Sequence, residues 1–286
     1  MSRIVYVNGE YLPEEQARVS VFDRGFLFAD GVYEVSSVLR GKLIDNPGHL
    51  ARLHRSLNEL DMAAPAGDEE IQVIQQTLIE KNNLDEGLVY LQVTRGVADR
   101  DFAYPKGVKP SLVMFTQQKS VVASPQARTG ISVIAVDDIR WKRRDIKSVG
   151  LLAPCMAKMQ AKAAGADDAW LVEDGFVTEG SSNNAFIINA AGTLVTRQLG
   201  NQILAGITRQ AVLKLASEHQ LNLEQRPFSI EEACSADEAF ITSATTFVMP
   251  VTSIDGKPVG DGKPGAMTRR LRELYIETAL ASIEGG

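Results

Sequence analysis

Hydrophobic and polar residues alternate with the period of a β-strand over the beginning of the chain. Two β-rich arms lie within residues 4–11, and Asn8 and Gly9 between them favour a tight hairpin turn. The same period returns over residues 32–39 and 42–44. The chain is therefore expected to begin as an antiparallel sheet.

The hydrophobic period then changes to that of an α-helix. Leucines recur at helical spacing over residues 50–60, and a second apolar stripe predicts a helix over residues 68–81 with Asp68 as its N-cap. Two β-rich runs, over residues 88–94 and 111–116, follow. These elements predict a first α+β domain.

A polar stretch that contains Ser124 and Pro125 and ends at Gly130 is typical of an interdomain connection. The strands after it are expected mostly in hairpins, which argues against a doubly wound parallel sheet. The predicted parts are a small α+β domain over residues 1–117, a linker over 118–129 and a larger domain over 130–286. In the larger domain, strands are predicted over residues 131–136, 169–172, 176–178, 186–188, 194–196 and 238–242, and helices over 152–164, 208–219 and 267–280.

The composition excludes several classes of function. A net charge of -6 at pH 7 argues against nucleic acid as a partner. Neither a signal peptide nor a membrane-spanning run is apparent, so a cytoplasmic protein without membrane contact is expected. Cys155 and Cys234 are too few for a disulfide framework, and the histidines lack the spacing of metal ligands, so no metal is predicted.

Two polar clusters are candidates for binding phosphate. Residues 206–209 (GITR) place a glycine, backbone amides and the Thr208 hydroxyl at the start of a predicted helix, where the helix dipole favours an anion. The alternative is that Thr208 serves only as an N-cap. Residues 242–246 (TSATT) follow a strand and offer hydroxyls for a second side of a phosphate.

Lys147 is the candidate reactive group within a basic run. A lysine near other cations has a lowered pKa, and a neutral amine is the form that attacks an aldehyde. Lys147 is favoured because it follows Ile146 in an alternating segment, although a solvated basic surface is the alternative. Glu179, at a predicted strand end beside a Gly/Ser turn, is either a second site residue or a surface carboxylate.

Together these motifs resemble those of the fold-type IV pyridoxal-phosphate enzymes, the class IV aminotransferase family. The resemblance spans nearly the whole chain and keeps the family's order and spacing. It implies an α+β fold with a small N-terminal domain and a larger C-terminal domain, which forms a pseudo-barrel of mostly antiparallel strands flanked by helices. The motifs are residues 22–34 (FDRGFLFADGVYE), 49–53 (HLARL), 145–148 (DIKS), 178–182 (TEGSS), 206–209 (GITR) and 242–243 (TS).

The resemblance also implies a role for each matching residue. Lys147 is expected to hold pyridoxal 5'-phosphate as a Schiff base and to move a proton as general base and acid. Glu179 is expected to pair with the ring nitrogen of the cofactor. The other expected cofactor-binding residues are Arg52, Leu204, Ile207, Thr208, Ser243, Ala244 and Thr245, with Ala244 contributing only its backbone amide.

Residues 91–102 (LQVTRGVADRDF) most resemble the branch that transfers amino groups from D-amino acids to 2-oxo acids. In that branch the substrate carboxylate is bound by a Tyr, an Arg and a His, the last two from the partner subunit of a homodimer. The Tyr corresponds to Tyr33 and the Arg to Arg100, whereas Phe102 stands where the His is expected. Ser182 is the remaining expected substrate contact.

Other functions use similar machinery. Branched-chain aminotransferases, (R)-amine transaminases and aminodeoxychorismate lyases share the fold and cofactor. A protein of a different class, a non-catalytic module that binds a phosphate or nucleotide through residues 206–209, would make Lys147 and Glu179 incidental.

Overall fold

The computed structural model describes residues 2–284, which form two compact units. The first unit contains residues 2–120, Ile146–Gly150 and 282–284, and the second contains Val121–Asp145 and Leu151–Ala281. The segment that carries Lys147 thus packs with the first unit, although it lies within the range predicted for the larger domain. The change of unit after Ser120 falls within residues 118–129, whose role as a linker stays a prediction.

An antiparallel sheet with helices on one face forms the first unit. Its strands are β1 Ile4–Val7, β2 Glu10–Pro13, β3 Gly31–Leu39, β4 Lys42–Leu43, β5 Gly87–Thr94 and β6 Ser111–Gln118, and its helices are α1 Arg24–Phe28, α2 Asn46–Glu59 and α3 Asp68–Lys81. The strands lie in the order β2-β1-β6-β5-β3-β4, with all neighbours antiparallel. Leu53 of α2, Ile71 of α3 and Leu91 of β5 are buried in one core.

Two local predictions for this unit have different outcomes. The hairpin between β1 and β2 is confirmed, since Asn8 and Gly9 have φ angles of 49° and 110°, which suit its tight turn. The predicted Asp68 cap is wrong, because Gly67 occupies the N-cap position and Asp68 is the first residue of α3. Asp68 still favours the helix, because an acidic side chain in the first turn complements the helix dipole.

The second unit is a larger sheet with flanking helices. Its strands lie in the order β12-β11-β10-β13-β14-β7-β8-β9, with β15 beside β14, and most neighbours are antiparallel. The strands are β7 Ile131–Asp137, β8 Asp168–Glu173, β9 Phe176–Gly180, β10 Asn184–Ile188, β11 Leu194–Thr196, β12 Leu223–Gln225, β13 Glu238–Ser243, β14 Phe247–Ile254 and β15 Lys257–Pro258. The helices are α4 Pro125–Thr129, α5 Leu152–Ala163, α6 Ile207–Glu218, α7 Ile230–Cys234 and α8 Ala266–Glu284.

The sheet of the second unit must curl. β9 lies at one edge and β10 lies five places away in the strand order, a separation of about 24 Å in a flat sheet. The chain takes only four steps from Gly180 to Asn184, which span at most about 14 Å. The curl brings the end of β9 close to the start of β10, in agreement with the expected pseudo-barrel.

β14 is the main element that the hydrophobic pattern did not predict. Pro250 stands in the middle of this strand, and proline usually argues against an internal strand because it lacks an N–H donor. Pro250 pairs with Phe240 of β13, and the ladder with β7 begins only at Val251. Among residues 2–284, no helix is long and apolar enough to cross a membrane.

Candidate active site

Lys147 lies beside the first residues of β3, in the first unit. β4 pairs with Val38 and Leu39, at the far end of β3, so the segment around Lys147 takes the edge next to Gly31. The Tyr33 N–H donates to the Lys147 carbonyl at 3.0 Å, and the Val149 N–H donates to the Gly31 carbonyl at 3.0 Å. This pairing sets the direction of the lysine side chain.

The alternation that singled out Lys147 is present in the structure. Ile146 is buried in the core of the first unit, and the next side chain points away from that core. The Lys147 amine lies over the Tyr33 ring, with Nζ 4.3 Å from the ring centroid. Such a placement suits an amine that has to reach a ligand, because the ring supports the methylene chain and leaves Nζ at its end.

The basic residues before Lys147 are engaged by carboxylates within the second unit. Arg140 pairs with Asp138 and Glu179, and Arg144 pairs with Glu173. The arginines of the run are therefore paired with carboxylates, whereas Lys142 remains exposed to solvent.

Arg52, one of the expected phosphate contacts, belongs to a buried triad in the first unit. Its Nε and Nη2 donate to the two carboxylate oxygens of Glu34 at 2.8 and 2.7 Å. His49 Nδ1 contacts the same carboxylate at 2.7 Å. The bidentate contact fixes the plane of the guanidinium, because two parallel hydrogen bonds allow little rotation.

Burial and charge compete within this triad. Burial alone raises the pKa of Glu34, but Arg52 and His49 outweigh it and hold the pKa at about 2. Burial lowers the pKa of His49, and the hydrogen bond to Glu34 only partly opposes this effect. The triad therefore carries an ionised glutamate and an ionised arginine with a histidine that resists protonation.

Glu179, at the end of β9, is completely enclosed by donors of the second unit. Arg140 Nη1 donates to Oε1 at 2.5 Å, while Asn184 Nδ2 and the Leu204 N–H donate to Oε2 at 2.9 and 3.1 Å. Burial raises its pKa, and Arg140 opposes this effect. Glu179 is thus not a surface carboxylate, and its position is defined from three directions.

The start of α6 meets the same cluster. Asn184 Nδ2 donates to the Leu204 carbonyl at 2.9 Å and so joins Glu179 to the turn that precedes the helix. Gly206 is the N-cap, and a side chain there would collide with the Asn184 amide. Thr208 lies inside the first turn, so its proposed role as an N-cap is wrong.

Two buried hydroxyls in this part of the second unit have no hydrogen-bond partner among the described residues. They are Thr208 Oγ1, in the first turn of α6, and Thr242 Oγ1, on β13 opposite Asn184. A buried hydroxyl without a partner costs about 1–3 kcal/mol. Both groups fit an anionic ligand that accepts hydrogen bonds, such as a phosphate, at a helix N-terminus.

The remaining cofactor candidates are close in sequence to Thr208 and Thr242. Ile207 is buried in the first turn of α6, and Ser243 ends β13. Ser243 Oγ contacts the Thr245 and Thr246 hydroxyls at 3.2 and 2.8 Å, so the turn around Ala244 carries a chain of hydroxyl groups. These contacts order the turn without using every acceptor or donor of its hydroxyls.

The substrate candidates lie in different surroundings. Ser182 is exposed at the tip of the turn between β9 and β10, next to Ser181, which donates to Asp168 at 2.5 Å. The Arg100 guanidinium lies 5.4 Å from the Phe28 centroid and 5.5 Å from the Phe102 centroid. Its described contacts do not include Tyr33.

Sequence reasoning missed the residues that position Glu179. Arg140 was counted only as part of the basic run, and Asn184 was not considered. The signal that could have found Asn184 is a polar residue at the head of an otherwise apolar strand, the run 184–188 (NAFII). A buried amide in that position needs partners, which here are Glu179 and Leu204.

The triad leads to a prediction about pH. Because the folded state resists protonation of His49, the unfolded chain binds more protons below about pH 6.5, and the free energy of unfolding should fall there. Glu34 has a depressed pKa, so its contribution is complete above about pH 4.5 and is lost as the pH falls toward 2. Urea unfolding at about pH 7.5 and about pH 5.5 measures the first effect.

The histidine variant tests the cause. His49→Gln should reduce the loss of stability between these two pH values, whereas His219→Gln, at an exposed position, should leave it as in the wild type. An equal decline in the wild type and His49→Gln would contradict the assignment to His49.

A family model described as amino-transferase class IV matches residues 31–254. D-alanine aminotransferase from Bacillus licheniformis is 39% identical over 277 residues, which cover 97% of each chain. D-alanine aminotransferase from Staphylococcus aureus (strain MSSA476) is 37% identical, with 96% of this chain and 98% of the relative covered.

Solved structures agree on the fold. The branched-chain amino acid aminotransferase of Escherichia coli matches with a TM-score of 0.90 at 23% identity, over 98% of this chain and 95% of the other. The branched-chain aminotransferase of the archaeon Thermoproteus uzoniensis, solved with norvaline, matches with a TM-score of 0.87 at 25% identity, over 98% and 96% of the two chains. On the family match and the identity to the two D-alanine aminotransferases, the chain belongs to the class IV aminotransferases, which are pyridoxal-phosphate enzymes.

Proposed function

We propose that this enzyme transfers the amino group of D-amino acids, such as D-alanine, to 2-oxo acids, with pyridoxal 5'-phosphate attached to Lys147. The relatives named D-alanine aminotransferase support the substrate class, because they align over nearly the full length at 37–39% identity. The observation that carries the cofactor assignment is the pair of buried hydroxyls of Thr208 and Thr242, which have no hydrogen-bond partner among the described residues.

The second unit offers the groups that the cofactor requires. A phosphate would accept hydrogen bonds from Thr208, from the amides of the first turn of α6 and from the hydroxyls that follow β13. Glu179 would face the ring nitrogen, since a carboxylate held by Arg140 and Asn184 is a fixed acceptor. In the first unit, Arg52 is oriented by Glu34 and is the proposed further cation for the phosphate.

The chain's own residues supply the proton chemistry. Pyridoxal phosphate, when bound, withdraws electrons from the Cα of the substrate amine. The Lys147 Nζ would take the proton from the substrate Cα as a base and later give up a proton as an acid. Tyr33 limits the positions of Nζ, because its ring lies 4.3 Å below the amine. Glu179 would help to keep the ring nitrogen protonated through a hydrogen bond.

The substrate carboxylate is proposed to be bound by Tyr33 together with Arg100 of a second copy of the chain, with Phe102 beside it. In one chain the Arg100 guanidinium already stacks on Phe28 and Phe102, so Phe102 can orient the arginine without donating a hydrogen bond. Ser182, exposed at its turn, is the proposed contact on the other side of the substrate.

An exposed apolar surface on the first unit supports a homodimer. Two segments form it, and they are joined by hydrogen bonds from Ala98 N to Phe22 O and from Arg24 N to Gly96 O. Phe26 is 72% exposed and Phe102 is 78% exposed, which is unusual for side chains on a backbone held this firmly. The other exposed members are Val21, Phe22, Val97 and Tyr104.

Covalent labelling tests the role of Lys147. The enzyme incubated with pyridoxal phosphate should be yellow, and borohydride should remove the colour and leave one cofactor on the peptide that contains Lys147, as measured by mass spectrometry. Lys147→Ala should take up no label, while Lys142→Ala, which removes an exposed lysine of the basic run, should be labelled like the wild type. A colourless wild-type protein would favour the phosphate-binding module without chemistry.

The amino donor is tested by half-reactions. D-alanine should convert the bound cofactor to its amino form, as followed by the visible absorbance, whereas L-leucine and an (R)-amine should react at least about tenfold more slowly. Rapid reaction with L-leucine would assign the enzyme to the branched-chain class, to which the structurally similar enzymes belong. Rapid reaction with the amine alone would assign it to the (R)-amine transaminases.

The dimer is tested at the exposed surface. Sedimentation of the wild type should give twice the chain mass of 31.1 kDa. Phe26→Asp places a charge on the surface and should produce monomers with little activity, because Arg100 no longer reaches the other active site. Val73→Asp, on the exposed side of α3, is the matched control and should remain a dimer. Monomeric, fully active wild type would contradict the shared site.

A further inference from the structure

The sheet of the first unit has a second face, opposite to α2 and α3, that carries mainly aromatic and aliphatic side chains. Alternate residues of three adjacent strands point there and are half-buried, while the residues between them are buried. Neighbours across strands on this face include Tyr33 opposite Gln92, and Tyr90 opposite both Val35 and Phe115. Directly opposed side chains on one face lie close enough to touch.

Three rings form a continuous floor on this face. Tyr33 and Tyr90 stack with their centroids 5.7 Å apart, and Tyr90 and Phe115 stack at 4.7 Å. The Lys147 amine stands over the first of these rings. A ligand that reacts at Lys147 and extends along the sheet would therefore lie over Tyr90 and its neighbours.

Gln92 is the amide among these rings. The Tyr90 hydroxyl donates to Gln92 Oε1 at 2.7 Å, which fixes the orientation of the amide. Burial raises the pKa of Tyr90 to about 12, so this hydroxyl keeps its proton at neutral pH. In the part of the chain that the structure describes, no hydrogen-bond acceptor contacts Gln92 Nε2, so the amide presents two N–H donors to a ligand.

The cation at the other end of the aromatic floor is already engaged. Arg3 lies 5.6 Å from the Phe115 centroid, pairs with Glu14 and donates to the Thr116 carbonyl at 3.1 Å. The charge of Arg3 is thus neutralised by Glu14. On the part of the face next to Tyr33, Gln92 offers amide N–H donors.

We propose that Gln92, held in place by Tyr90, binds the side chain of the longer substrate through an acceptor oxygen. The amino acids and oxo acids selected in this way have a side chain that ends in a carboxylate or a carboxamide. D-glutamate and 2-oxoglutarate are examples with a carboxylate. D-alanine and pyruvate are too short to reach the amide and gain nothing from it. This proposal rests on the proposed function and assigns the polar side-chain subsite of the same active site.

The chemistry of the amide suits both substrates of an exchange reaction. A cationic side chain at this position would lose its water without gaining a partner whenever a short substrate such as D-alanine is bound. The neutral amide of Gln92 can bind a carboxylate and avoids this cost. A hydrogen bond to a charged group outweighs one to a neutral group, so the carboxylate is favoured over the carboxamide. Tyr90 is a positioning residue, since it acts through the amide.

Paired half-reactions test the subsite. Gln92→Met keeps the length of the side chain and removes the donors, so kcat/KM for D-glutamate should fall by about tenfold or more, while the value for D-alanine stays within about twofold. Tyr90→Phe should raise KM for D-glutamate by a smaller factor and leave kcat unchanged. Gln117→Met, at the exposed end of β6, is the control and should change neither substrate.

A binding measurement separates this proposal from the activity. Glutarate, a dicarboxylate, should bind wild type more tightly than propionate, as measured by isothermal titration calorimetry, and Gln92→Met should abolish that difference. Equal losses for D-glutamate and D-alanine, or an unchanged preference for glutarate, would overturn the role of Gln92. Failure of the wild type with both D-amino acids would instead overturn the proposed function.

Discussion

The pairing of residues 146–149 with the edge of β3 is the constraint on which the rest of the site depends. Two backbone hydrogen bonds, between Tyr33 and Lys147 and between Val149 and Gly31, place the lysine over the aromatic face of the first sheet. Ile146 anchors the segment in the core, so the alternation of a strand directs Lys147 to the other side. The proposed attachment of the cofactor and the proposed recognition of the substrate side chain both start from this geometry.

Each unit contains a buried carboxylate that is satisfied by several donors. Glu179 accepts from Arg140, Asn184 and Leu204, while Glu34 binds Arg52 and His49. Leaving such a charge without partners costs several kcal/mol, so these networks hold the two carboxylates firmly. Among the described residues, the buried hydroxyls of Thr208 and Thr242 lack such partners, and a bound anion would satisfy them.

Local patterns predicted most elements that depend on neighbouring residues. The turn at Asn8 and helix α3 follow from turn chemistry and from a clear hydrophobic stripe. Strand β14 was missed because Pro250 contradicts the usual strand pattern, and only its position beside β13 and β7 makes the proline acceptable. The short helices α4 and α7 were missed because five residues are too few for a periodic signal.

The sequence by itself determined the family, the candidate residues Lys147 and Glu179 and the helix start that suits a phosphate, because each is a motif of contiguous residues. Only the tertiary structure decided that the Lys147 segment joins the first unit, that Arg140 and Asn184 hold Glu179, and that Gln92 is oriented by Tyr90 on an aromatic face. These relations depend on strand register and on the pairing of buried charges across long stretches of chain. Strand register and the pairing of buried charges produce no periodic pattern in the sequence, because both depend on which distant segments pack together.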